Sequence, residues 1–168
     1  MLFSGTRLYS NPDQQVGVYE AYGARTTRNL TDLSAQSFID CSRYNQACKS
    51  GTPGLAMDDD VEVETERDYP YKGIAETCTT DPAKTAVEIP YYYVLTNQSE
   101  ASILVNLLRD GPLAARVSAS SYGFKSYKSG VYFDPDCPQT EDKLDHAVLI
   151  VGYGTDSILG DYWILVSV

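Results

Sequence analysis

The spacing of apolar positions changes along this chain. Between Gly17 and Tyr22 it suits a short helix. In GARTTRNLTDLSAQSFIDC the hydroxyl of Ser34 stands directly before a helical run that starts at Ala35 and reaches about Asp40. Leu33, Phe38 and Cys41 then fall near one another on the inner side of that run. Residues 1–16 show no period, and Asn11-Pro12-Asp13 reads as a turn, so a loose start is expected. CSRYNQACKSGTPG is turn chemistry, and LAMDDDVEVETERDYPY begins like a helix that its three consecutive aspartates weaken.

From residue 86 onward the pattern is different. AVEIPYYYVL alternates and is rich in β-formers, SEASILVNLLRDG has helical period with Ser99 as N-cap and Gly111 after its end, and PLAARVSA reads as a strand. GVYF, HAVLIVGYG and DYWILVSV are three further strand-like segments. Helices early and strands late predict an α+β fold, with a helical lobe over about 17–85 and a mostly antiparallel β lobe over about 86–168.

With 168 residues the chain can form one domain or two small lobes. Its 23 carboxylates against 13 Lys and Arg argue against nucleic-acid binding, which needs clustered cations. No apolar run approaches the roughly 20 residues that cross a bilayer, and MLFSGTRLYSN is too short an apolar start for a secretory signal. Fourteen tyrosines and few lysines suit a loop-rich protein whose rings cover apolar surface. The irregular spacing of Cys41, Cys48, Cys78 and Cys137 favours disulfides over a zinc site, and no cofactor or metal is expected. Two sequons, Asn29-Leu30-Thr31 and Asn97-Gln98-Ser99, are also present.

The single histidine, His146, lies in KLDHAVLIVGYG. Alone, a histidine before an apolar strand is more often a core or edge residue than a catalyst. Here LDHAVLIVGYG followed by DYWILV resembles the histidine segment of the papain family of cysteine peptidases, its cathepsin L-like branch in particular. LLRDGPLAARVSA, FKSYKSGVYFDPDC, ETERDYPYKGIAETC and LSAQSFIDCSRYNQAC resemble further blocks of that family, in its order and at nearly its spacing, from about Gly17 to Leu165. The resemblance implies a papain-like two-lobed fold, with residues 1–16 a divergent start and 17–168 a partial peptidase domain.

Family chemistry uses a thiolate nucleophile, an imidazole that pairs with it and protonates the leaving amine, an asparagine that orients the ring, and a glutamine in the oxyanion hole. The resemblance puts His146 at the imidazole position. Counting back from GVYE puts Ser10 where the family has its cysteine, and DYWILVSV puts Ser167 where it has the asparagine. It further implies a Cys41–Cys78 disulfide, leaving Cys48 and Cys137 without their family partners, as in a chain cut at both ends relative to its ancestor. Gly51 in KSGTPG, Arg116 and Asp145 fall at substrate-binding positions. A cation at Arg116 favours an acidic substrate side chain; the alternative is that Arg116 points to solvent.

The expected function is therefore that of a papain-like cysteine endopeptidase relative, itself inactive because the nucleophilic cysteine and orienting asparagine are missing. The alternatives are a non-catalytic papain-like protein that binds peptides or inhibitors, or a truncated gene product without function. The resemblance implies a polypeptide substrate or a cystatin-like inhibitor as partner, a monomeric state, no nucleic acid or membrane contact, and a lysosomal or secreted location although no signal peptide is visible.

Overall fold

The computed structural model describes residues 12–43, 59, 61–95, 99–138 and 140–167. Helix α1 spans Pro12–Thr27, with proline in the first turn, where a missing N–H leaves no intrahelical bond unmade. Its beginning corrects the expected loose start through residue 16, because Gln14, Gln15 and Val16 are all buried. Two glycines on α1 let it approach its neighbours closely. A Cβ on Gly17 would lie 2.7 Å from Leu149 Cδ2, and one on Gly23 would lie 2.8 Å from Val87 Cγ2. Arg28, at φ 64, ends the helix, its N–H donating to the Ala24 carbonyl.

Helix α2 (Ala35–Cys41) is capped by Ser34, whose Oγ accepts from the Ser37 N–H at 3.0 Å. The same hydroxyl donates to the Tyr69 carbonyl, and the Ser34 N–H donates to the Glu64 carbonyl. One serine therefore anchors the helix start to two distant stretches of chain. Around α2 a core forms from Val16, Tyr19, Leu33, Phe38, Val61 and Val63, with Cys41 and Val87 packed against it. Leu33, Phe38 and Cys41 meet there as expected. Segment 61–65 is extended instead of helical, pairing through isolated bridges Leu33–Thr65 and Val63–Val87. Val61, Val63 and Glu64 are buried there, a demand that the bridges meet better than a helix broken by aspartates.

The β lobe is built on helix α3 (Glu100–Asp110), with Ser99 at its N-cap and Gly111 at its C-cap at φ 95. Strands β1 (Leu113–Val117), β2 (His146–Asp156) and β3 (Gly160–Val166) form an antiparallel sheet in the order β1-β2-β3. Ile103 and Leu107 of α3 bury Val117, Val148 and Ile150 in a second core. Helix α1 lies near the sheet through the Gly17–Leu149 approach, and Arg25 ties it to α3 by donating to the Arg109 carbonyl at 2.7 Å.

Two expected strands are absent. In 86–95 only Val87 makes a bridge; Pro90 has no N–H for a ladder, and Tyr91 and Tyr93 are exposed. GVYF is a loop opened by Gly130 at φ 89, in which Tyr132 packs edge-on to Phe124 and Tyr127 while Phe133 stays exposed. Between β1 and this loop lies the four-residue helix α4 (Tyr122–Lys125).

Candidate active site

His146 opens β2, opposite Val117 at the end of β1. Asp145 fixes that entry: its N–H donates to the Val117 carbonyl at 3.1 Å, and its Oδ1 accepts from the Ala119 N–H at 2.7 Å. The exposed carboxylate thus clamps the backbone on which the imidazole stands. The imidazole itself is half-buried and edge-on to Phe124, with ring centroids 6.2 Å apart.

Ser167 follows β3 directly, and the β2–β3 register, Leu149 opposite Val166, carries it back beside the start of β2. Its Oγ lies 2.7 Å from His146 Nε2. Two candidates that are 21 positions apart in sequence are therefore hydrogen-bonded in space. Since a hydroxyl can donate or accept, it satisfies either tautomer of the ring. Nδ1 has no hydrogen bond among the described residues.

Arg116 is not on the surface. It is 7% exposed, and its guanidinium donates to the Leu144 carbonyl two positions before His146. This corrects the solvent-facing alternative: β1 is covered on both sides, and a long side chain there turns inward to reach a carbonyl. Ser10 and Gly51 lie outside the described residues.

On the other side of α1 the sequence blocks have physical work. Gln36 donates to the Ile74 carbonyl at 2.6 Å and accepts from the Lys72 N–H at 3.0 Å. Asp40 accepts from the Glu76 N–H at 2.7 Å and from the Tyr69 hydroxyl at 2.9 Å. These bonds lead to the Cys41–Cys78 disulfide, as expected, while the Cys137 Sγ lies 3.9 Å from the Pro138 carbonyl.

Glu20 was not singled out from sequence, although it lies in GVYE. Its Oε1 accepts from the Leu33 N–H at 3.0 Å. Burial pushes its carboxyl above the usual range, the Leu33 bond pulls it partly back, and the Asp32 charge adds to the rise. A raised carboxyl gives its stabilisation in full below its ordinary value of 4.5 and loses it as pH rises through the folded-state value. Glu20→Gln keeps an oxygen for Leu33, so its stability relative to the parent should improve progressively as pH rises above 4.5 and then level off. Urea midpoints across a pH series measure this; a pH-independent difference would contradict it.

Sequence reading also missed an open cavity of about 410 Å³ beside α4, lined by Ser118, Ser121, Tyr132, Asp134 and neighbours. The Tyr132 hydroxyl joins Ser121 at 2.9 Å to Asp134 at 3.1 Å. Its contributors are spread over separate loops, so no local motif marks it. Among the described residues there is no grouping of three or more potential metal ligands, and no helix is long and apolar enough to cross a membrane.

The sequence profile described as papain family cysteine protease matches residues 15–167. A cathepsin L-like protein of Caenorhabditis elegans is 36% identical over 154 residues, covering 89% of this chain and 45% of the relative. Cathepsin S of Bos taurus is 36% identical over 157 residues, covering 89% and 46%. The solved structure of digestive procathepsin L 3 from Tenebrio molitor larval midgut superimposes with a TM-score of 0.84 at 32% identity, covering 93% of this chain and 51% of that one. The chain spans about half the length of the relatives it matches. With the ordered blocks, the two-lobed α+β fold and the histidine strand all in agreement, the chain belongs to the papain family of cysteine proteases, in its cathepsin L-like branch.

Proposed function

We propose that this chain keeps the imidazole side of the papain-type machinery and by itself does not hydrolyse peptide bonds. The observation that carries this reading is the 2.7 Å contact between His146 Nε2 and Ser167 Oγ. Papain-type chemistry holds one ring nitrogen with an orienting side chain and turns the other to a thiolate. Ser167 supplies a hydrogen bond at the orienting position, but a freely rotating hydroxyl restricts the ring less than a planar carboxamide. At the nucleophile position by sequence count stands Ser10, and a hydroxyl needs a true general base held in register before it attacks a carbonyl. Of the described cysteines, Cys41 and Cys78 are bridged and Cys137 follows the turn at 134–137.

The surface beside His146 is read as a polypeptide-binding groove of a monomeric chain, able to take a substrate-like peptide or a cystatin-like inhibitor. Gly51, Asp145 and Arg116 are its proposed contacts. Arg116 is proposed to favour an acidic side chain near the His146 strand through its charge, its guanidinium being turned inward onto the Leu144 carbonyl. The Cys41–Cys78 bridge supports a lysosomal or secreted location, because such bonds persist in oxidising compartments.

A dipeptidyl fluorogenic amide and an epoxide directed at an active thiol test the proposal together. No turnover and no labelling are expected, while a cystatin-like inhibitor still binds. Turnover that His146→Ala abolishes would overturn the reading of inactivity, and a folded chain that fails to bind the inhibitor would remove the binding role.

A further inference from the structure

We propose that Asn29 is a site of N-linked glycosylation, an inference that rests on the oxidising, secretory location proposed above. Asn29-Leu30-Thr31 has the acceptor asparagine, a middle residue other than proline and a hydroxyl two positions on. Such triplets also arise by chance, so their placement in the fold decides whether a bulky glycan can be carried.

Here the placement is open. Residues 25–30 are all exposed, and the chain turns at Arg28 with φ 64 directly before the acceptor. The Asn29 N–H donates to Thr27 Oγ1 at 3.2 Å, and that hydroxyl donates in turn to the Gly23 carbonyl at 2.8 Å, tying the corner to the last turn of α1. The side-chain amide makes no hydrogen bond among the described residues, so glycosylation disrupts no existing bond. Leu30, in the middle of the triplet, is 71% exposed, an apolar side chain that an adjacent glycan would shelter from water.

The corner is also remote from the candidate active site. It follows the C-terminal end of α1, whereas the sheet carrying His146 meets α1 at Gly17, in its N-terminal half. The ten steps from Gly17 to Thr27 rise about 15 Å at ~1.5 Å per residue. A glycan on Asn29 thus extends from the C-terminal end of α1, away from the half meeting the histidine strand.

The reaction joins the Asn29 side-chain nitrogen to the anomeric carbon of an oligosaccharide carried on a lipid pyrophosphate. The anomeric C–O bond breaks, the lipid pyrophosphate leaves with its electron pair, and the amide gives up one proton. Donor and transferring enzyme belong to the secretory pathway, and the chain supplies only the acceptor.

The full chain, placed behind the leader of a secreted protein in eukaryotic cells, tests the assignment. Release by a peptide-N-glycosidase, which hydrolyses the side-chain amide bond, converts a glycosylated asparagine in heavy-oxygen water to labelled aspartate, and peptide mass spectrometry reads positions 29 and 97 separately. Only molecules with the Cys41–Cys78 bridge are scored, so failure to enter the pathway is not mistaken for absence of a glycan. Label at position 29 in most bridged molecules is expected, lost in Asn29→Gln and Thr31→Ala and kept in Thr31→Ser. Bridged molecules without label at 29, or with label at 97 alone, overturn the proposal. Inhibitor binding, measured on the same material, reports separately on the proposed groove.

Discussion

Replacing Cys41 and Cys78 together by alanine is expected to lower stability by about 4 kcal/mol, from the chain entropy released by opening a loop of this length. The bridge spans a sequence separation of 37. Much of the enclosed chain has little else to hold it: residues 70–79 are exposed and contribute no side chain to the buried core. They are retained by the bridge and by the Gln36 and Asp40 bonds to backbone at 72, 74 and 76. These bonds are partly open to water, and such bonds contribute about 1 kcal/mol each. They cannot offset loss of the cross-link in a domain whose total stability is of order 5–15 kcal/mol. Urea unfolding of the double variant should show a strongly lowered midpoint, and the parent under reducing conditions should match it. Coincident curves for oxidised and reduced parent would show that the loop is held by its hydrogen bonds alone.

Where sequence reading succeeded, local chemistry and burial pointed the same way. Ser34 and Ser99 each cap the helix they precede, Gly111 ends the second one, and the three apolar runs that became β1, β2 and β3 each found a ladder partner. It failed where tertiary context overrode the local pattern. Residues 1–16 show no period and read as loose, yet Gln14 and Gln15 are 2% and 1% exposed at the start of α1. Neither makes a side-chain hydrogen bond through its amide nitrogen among the described residues, so no local pairing could have announced their burial. The stretch at 91–93 has strong β propensity but pairs with no strand among the described residues, and propensity alone does not make a sheet.

The candidate site divides in the same way. His146 was visible because its segment is a contiguous motif. Its contact with Ser167 depends on the β2–β3 register, which includes an irregularity between Ile150 and Gly152 that shifts the pairing by one residue. A count along the chain placed Ser167 at a family position but could not establish the hydrogen bond. The direction of Arg116 was illegible for a similar reason: alternation along β1 does not say which face a five-residue strand covered on both sides gives to a long cation.

Gly17→Leu is the second substitution expected to have a large effect, about 3 kcal/mol of destabilisation from overpacking. The sterically limiting atom is Leu149 Cδ2, 2.7 Å from where the first added carbon would sit. Leu149 has little room to retreat, being buried on a strand paired to Ala114 on one side and Val166 on the other. The helix must yield instead, and it carries Tyr19 in the first core and Glu20 on the Leu33 amide. Gly17→Ala should cost less than Gly17→Leu, since it adds only the one carbon that meets Leu149 Cδ2 and about 1 kcal/mol of helix propensity offsets part of that clash. Leu149→Ala should remove much of the penalty of Gly17→Leu, giving a coupling of about 1–3 kcal/mol in a double-mutant cycle. Additive penalties would mean that α1 does not approach the histidine strand at this point. The His146–Ser167 side-chain contact is positioned by the β2–β3 pairing and should survive in the single variant, visible in imidazole nitrogen chemical shifts, even as α1 moves. Gly17 thus controls how closely α1 meets the histidine strand, and Glu20 fixes the turn that leads from α1 into α2.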